Sequence, residues 1–136
     1  MLPIDVNNIF STKPGLFNQT ALDVFAYQYS ENAVYRRWCD LIVPAQHPKN
    51  EAGVPVLEHY TSIPAMPIGF FKSETVQTCN YQPVLFFESS GTTGTVQSKH
   101  YIKDEAVYQQ SFLTAFEAVY GPVNDWCIIG LLPAYL

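Results

Sequence analysis

Chemistry in this chain concentrates between Glu88 and Tyr101, where the residues run E-S-S-G-T-T-G-T-V-Q-S-K-H-Y. Ser89, Ser90, Gly91, Thr92, Thr93, Gly94 and Thr95 are all small, and every one carries a hydroxyl or lacks a side chain. Glycines at 91 and 94 permit backbone angles closed to other residues. Successive N–H groups can then converge on one concavity, which is an anion nest. The hydroxyls add short donors, and Lys99 adds a mobile positive charge. Many donors, close backbone approach and one cation are what a polyphosphate requires, and they suit an apolar ligand poorly. The string lacks the P-loop order G-x-x-x-x-G-K-[ST], because Thr-Val-Gln-Ser separates Gly94 from Lys99. It also lacks G-x-G-x-x-G. A Ser/Gly-rich stretch of arbitrary order is an ordinary surface connection; the full string E-S-S-G-T-T-G-T is far more specific.

Such a loop needs rigid elements on both sides. Val84–Glu88 is an apolar run of strand character ahead of it. Behind it, Asp104 and Glu105 open a helix at its positive end. Tyr108, Phe112, Ala115 and Val119 form the helix stripe, widened by Leu113, Phe116 and Tyr120. Gly121-Pro122 is a stop signal. Trp126–Leu132 is expected as a further strand, so that strand, helix and strand form a crossover unit in a mixed sheet.

Upstream, Thr20 with Asp23 is expected to open a helix carrying Leu22, Phe25, Ala26 and Tyr29. A second helix is expected to begin near 30–32, to carry Val34, Trp38, Leu41 and Ile42, and to stop before Pro44. Arg36 and Arg37 fall mid-helix, where a solvated face is favoured over an anion site. Five prolines between Pro44 and Pro67 exclude long elements there. Val54, Val56, Leu57, Ile63 and Met66 make that stretch a wrapping loop. Thr75–Thr78 is expected as a short strand, turning at Cys79–Gln82 into Val84–Glu88 as a hairpin. The fold class is therefore α/β: N-terminal helices plus a partial mixed sheet, with a strand–Gly-rich loop–helix–strand unit.

The 136 residues set an expectation of one domain, 48% hydrophobic and 15% aromatic, which suffices for a core. A net charge of −5 argues against a nucleic-acid surface. Cys39, Cys79 and Cys127 are odd in number and widely spaced, and His47, His59 and His100 form no ligand pattern. Three reduced structural thiols and no metal site are expected. No leader or membrane-spanning run is visible, so a cytoplasmic setting is expected. The apolar ending C-I-I-G-L-L-P-A-Y-L suggests the N-terminal portion of a longer domain, residues 1–136 being one incomplete unit.

Ser-Ser-Gly-Thr-Thr-Gly after an apolar strand, with a lysine beyond it, resembles the phosphate-binding loop of the adenylate-forming (AMP-forming) ligases. The wider run is similar to two branches of them, the acyl-protein synthetases of bioluminescence operons and the phenylacetate–coenzyme A ligases. Asn32-Ala-Val-Tyr-Arg-Arg37, Ile63-Pro-Ala-Met-Pro-Ile68, Phe70-Phe-Lys72, Phe87–Gly94 and Ser98-Lys-His-Tyr101 carry the likeness, which extends from about Thr20 onward. The resemblance implies that a carboxylic acid is activated by Mg-ATP to an acyl adenylate and passed to a thiol, of coenzyme A or of a protein cysteine. It implies that Ser89, Ser90, Gly91, Thr92, Thr93, Gly94 and Thr95 cradle phosphates and that Lys99 neutralises the pyrophosphate leaving group. Lys99 stands farther from the last glycine than the family's commonest lysine. The family's later aromatic-Gly-x-Thr-Glu segment has no counterpart in the chain, so catalysis is expected only from a longer protein or with a partner chain. His100 either approaches substrate or is a partly packed, satisfied histidine, and the latter is favoured. Two other readings stand beside the ligase: a non-catalytic phosphate-binding module, and an interaction protein using its apolar end.

Overall fold

The computed structural model describes residues 9–10, 13–89 and 96–130. Contacts divide the chain into two compact units, Met1–Glu105 and Ala106–Leu136.

In the first unit a 3-10 turn at Pro14–Leu16 leads into α1, Phe17–Glu31. Proline's fixed φ suits that entry. The helix thus starts ahead of Thr20, and the expected capping pair is interior. Gln19, not Thr20, engages Asp23, donating Nε2–H to Oδ1 at 2.8 Å. Asn32 then breaks the helix with extended backbone and caps α2, Ala33–Ile42, its Oδ1 accepting the Tyr35 N–H at 3.0 Å. One residue therefore ends α1 and begins α2. Arg36 holds this corner closed by donating to two of the last carbonyls of α1, Tyr29 O at 2.9 Å and Ser30 O. Arg36 thus serves as a C-terminal clamp, and Arg37 pairs with Glu74 at 3.0 Å.

Phe25, Tyr29, Tyr35, Cys39 and Val54 form the buried cluster, with Ala26, Trp38, Leu57, Ile63 and Met66 packed against it. Val54 reaches it because Asn50 folds the proline-rich loop, its Oδ1 accepting from Ala52 N and Val54 N. Gly53 takes φ +76° in the same turn, the left-handed angle that glycine adopts without cost. Tyr35 and Trp38 fasten the loop's far end, donating to Pro64 O at 2.7 Å and Ala65 O at 3.0 Å. Leu41, expected on the packed stripe, is 80% exposed.

Beyond the loop the expected Thr75–Thr78 strand does not form, and a helical turn stands ahead of it. Phe70–Ser73 forms a single helical turn, α3, and Thr75–Thr78 pairs with no strand. Side chains explain both. Adjacent rings on a helical turn can reach two different neighbours, and Phe70 sets its edge on Trp38 with centroids 5.6 Å apart, while Phe71 stacks on His100. The 75–79 segment docks on α1 instead, with Thr78 Oγ1 donating to Gln28 Oε1 and Cys79 N to Glu31 O.

The sheet has two antiparallel strands, β1 at Leu85–Glu88 and β2 at Lys99–Ile102. The α/β character stands, but the order strand–loop–helix–strand does not. The Gly-rich segment is followed by β2 and only then by α4, Glu105–Tyr120. Trp126–Gly130 forms no strand among the described residues. β2 meets the backbone groups along one edge of β1, from Leu85 to Glu88.

In the second unit, α4 ends at Gly121, which has φ +83° and donates its N–H to Glu117 O at 3.0 Å. Trp126 closes back on the helix end through Tyr120 O at 2.9 Å and the rings of Phe116 and Tyr120. The helix has no buried residue, and Tyr108, Phe112, Leu113 and Val119 are all exposed. Among the described residues no helix is long and apolar enough to cross a membrane.

Candidate functional site

Of the site residues read from the sequence, Ser89 and Lys99 are described, at the end of the β1–β2 pair where the Gly-rich string connects the strands. Register pairs Leu85 with Ile102, Phe86 with Tyr101, Phe87 with His100, and Glu88 with Lys99. Pairing continues one step past the last cross-strand couple. Ser89 N donates to Ser98 O at 3.1 Å, and Ser98 N donates to Ser89 Oγ at 3.0 Å. Ser98 is only 6% exposed, and these two bonds form a neck one step past the last strand pair.

Lys99 is exposed beside this neck. Its Nζ lies 3.4 Å from Glu88 Oε1 and 5.4 Å from the centre of the Phe86 ring. The hairpin register brings Ser89 and Lys99 to the same end. Ser90, Gly91, Thr92, Thr93, Gly94 and Thr95 lie outside the described residues, and their part in the site rests on sequence.

What positions the neck can be followed outward from the core. Trp38 on α2 meets Phe70 on α3; the adjacent Phe71 stacks on His100 of β2 with centroids 4.5 Å apart and planes 22° apart. His100 is thereby placed as a packed histidine. Tyr81 adds a bond from its hydroxyl to Tyr101 O at 3.2 Å. Phe86 and Phe87 are partly exposed on β1.

Sequence reasoning passed over Glu88, treating it as the place where the apolar run ends. The signal was the pair of opposite charges flanking the small-residue string, which acquires meaning only when the flanks are read as one hairpin. It also passed over Ser98.

A second feature lies at the α1–α2 corner. A shallow polar cleft of about 420 Å³ is lined by Ser30, Glu31, Arg36, Gln77, Cys79 and neighbouring residues. Cys79 has φ +65°, and its Sγ lies 3.1 Å from the Tyr27 hydroxyl and 3.6 Å from Glu31 Oε2. Burial, then the Cys79 hydrogen bond, pushes the Tyr27 phenol up to about 12, so it stays neutral at physiological pH. Cys39 is fully buried, and burial raises its thiol. All three cysteines are free thiols.

Among the described residues no group of three or more His, Cys, Asp or Glu side chains could hold a metal ion. Compared with protein-family models, with curated proteins and with solved structures, the chain has no significant match.

Proposed function

We propose that the chain is the N-terminal part of an acyl-protein synthetase or acyl-coenzyme A ligase-like enzyme of the adenylate-forming class. The string Glu88–Thr95 carries the reading, and its support is that Ser89 and Lys99 flank the string at one hairpin end. In the proposed reaction a carboxylate oxygen of a fatty or aryl acid attacks the α-phosphorus of ATP. The bond to the β-phosphate oxygen breaks, and pyrophosphate leaves. A thiol sulfur then attacks the acyl carbon, and AMP departs with the bond electrons. Backbone N–H groups and hydroxyls of Ser89–Thr95 stabilise the charge gathering on pyrophosphate, and Lys99 offsets part of it. Adenine, ribose and the acyl acceptor are held by a further portion of the protein or by a partner chain, in a cytoplasmic setting.

Titration of the chain with Mg-ATP or pyrophosphate is the direct test. Saturable binding that disappears in Thr92→Val and Gly91→Val is expected, and the longer protein is expected to exchange pyrophosphate into ATP only with a carboxylic acid present. Undiminished binding and exchange in both variants would remove the loop from the mechanism.

A second reading is a non-catalytic phosphate-binding module that works with a partner chain. The apolar residues of α4 favour it, because Phe112, Leu113 and Val119 are exposed. Phosphate binding without exchange in any longer product distinguishes it.

A further inference from the structure

Glu88 faces Lys99 across the last rung of the hairpin, directly below the neck made by Ser89 and Ser98. This places a carboxylate against the one cation assigned to a polyphosphate. The separation is 3.4 Å, and both side chains remain substantially exposed, 37% for Glu88 and 48% for Lys99. Exposed pairs of this kind are weak and exchange readily. The Phe86 ring, 5.4 Å from Nζ, gives the ammonium a second resting contact on the same strand.

We propose that Glu88 is a positioning residue that acts through Lys99 as a competing anion. It holds the ammonium at the hairpin mouth when no phosphate is present, and an incoming polyphosphate takes the ammonium from it. The proposal rests on the loop reading above, since it gives Glu88 a role in tuning the affinity of that site. Three features favour this over an incidental surface pair. Register fixes the two residues opposite each other, the neck hydrogen bonds fix the register, and the Phe71–His100 stack fixes β2. The carboxylate also repels a polyanion, so a site that kept it without using it would bind more weakly for no return.

The mechanism makes an unusual demand: removing a charged residue beside the site should improve binding. Displacing a surface ion pair of ordinary strength sets the expected gain at about two- to fivefold. The probe is inorganic pyrophosphate titrated calorimetrically in EDTA, which removes metal bridging to the carboxylate. The chains are wild type, Glu88→Gln, Lys99→Met and the double variant, with circular dichroism and melting to establish that each is folded. Glu88→Ala replaces Glu88→Gln if the latter melts early.

The expected result is tighter binding in Glu88→Gln, weaker binding in Lys99→Met, and no gain from Glu88→Gln once Lys99 is absent. The Glu88→Gln advantage should also shrink in 1 M salt, where the pair is screened. An equal gain with and without Lys99 overturns the proposal, because Glu88 then acts by repulsion alone. Unchanged or weaker binding in Glu88→Gln, with wild-type binding intact, overturns it while leaving the loop reading in place. Absence of pyrophosphate binding by all four chains overturns the loop reading, and the role of Glu88 falls with it.

Discussion

Replacing Tyr29 by phenylalanine tests whether the core is fastened by a charged hydrogen bond. The ring is 5% exposed, and its hydroxyl donates to Asp40 Oδ1 at 2.6 Å, joining α1 to α2. Lys49 stands 3.4 Å from both oxygens and brings the proline-rich loop into the same cluster. A hydrogen bond to an ionised group contributes about 1.5–3 kcal/mol to stability. Here the Asp40 side chain is 45% exposed, so water recovers part of the loss, and about 1 kcal/mol is the expected cost of Tyr29→Phe. In a unit of this size that lowers the melting temperature by roughly 4 °C. The pH dependence identifies the cause. The Tyr29 hydrogen bond, followed by Lys49, holds the Asp40 carboxyl below its ordinary value. A depressed carboxyl contributes stability that is fully present above its unfolded value of about 3.9 and is lost as pH falls through the lower folded value. Urea unfolding at pH 7, 4 and 3 should therefore show a gap between wild type and Tyr29→Phe that is constant near neutrality and narrows toward pH 3. A gap of the same size at pH 3 would refute the reasoning and assign the loss to ring packing.

Other expectations follow from single contacts. Asn32→Ala should cost about 1 kcal/mol in urea unfolding by uncapping α2, with Asn32→Ser keeping most of the stability, because its hydroxyl can still accept the Tyr35 N–H. Gly121→Ala should destabilise by about 1 kcal/mol in thermal melts, since φ +83° strains any residue with a Cβ although the space there is open. In timed alkylation followed by mass spectrometry, exposed Cys127 should react first and buried Cys39 only on unfolding. Early labelling of Cys39 would mean that the α1–α2 core opens locally.

The helical half of the fold was legible because its signals are local. Apolar residues at helical spacing, Pro44 behind α2 and Gly121-Pro122 behind α4 each act within one turn, and the helices lie there, although α2 is capped by Asn32 while Ser30 and Glu31 close α1. The sheet was misread because pairing is settled by distant partners. Thr75–Thr78 has acceptable strand residues, yet Gln28 and Glu31 on α1 capture it through hydrogen bonds that no short window contains. Lys99–Ile102 was passed over as a strand because a charged residue and a histidine open it, while Tyr101 and Ile102 supply its β character. The candidate site was legible as a string of residue types, and Ser89 and Lys99 do lie at one hairpin end. The pairing of Glu88 with Lys99 was not, because it follows from register.

A two-stranded hairpin has little stability of its own. The β1–β2 pair therefore draws its order from what is packed on it. His100 stacks on Phe71, Tyr101 O accepts the Tyr81 hydroxyl, and Phe70 beside Phe71 returns to Trp38 on α2. The geometry of the neck thus depends on a relay of rings that begins in the Phe25–Tyr29–Tyr35 core. A site that needs donors fixed before its ligand arrives has to be braced in this way, because ordering a floppy loop on binding consumes the affinity its donors supply. His100 therefore matters to the site as a packing residue, and the ring it stacks on matters as much as the imidazole. In the proposed reading the glycines and hydroxyls supply the donors for phosphate. The adjoining helices and rings fix where that loop begins and ends.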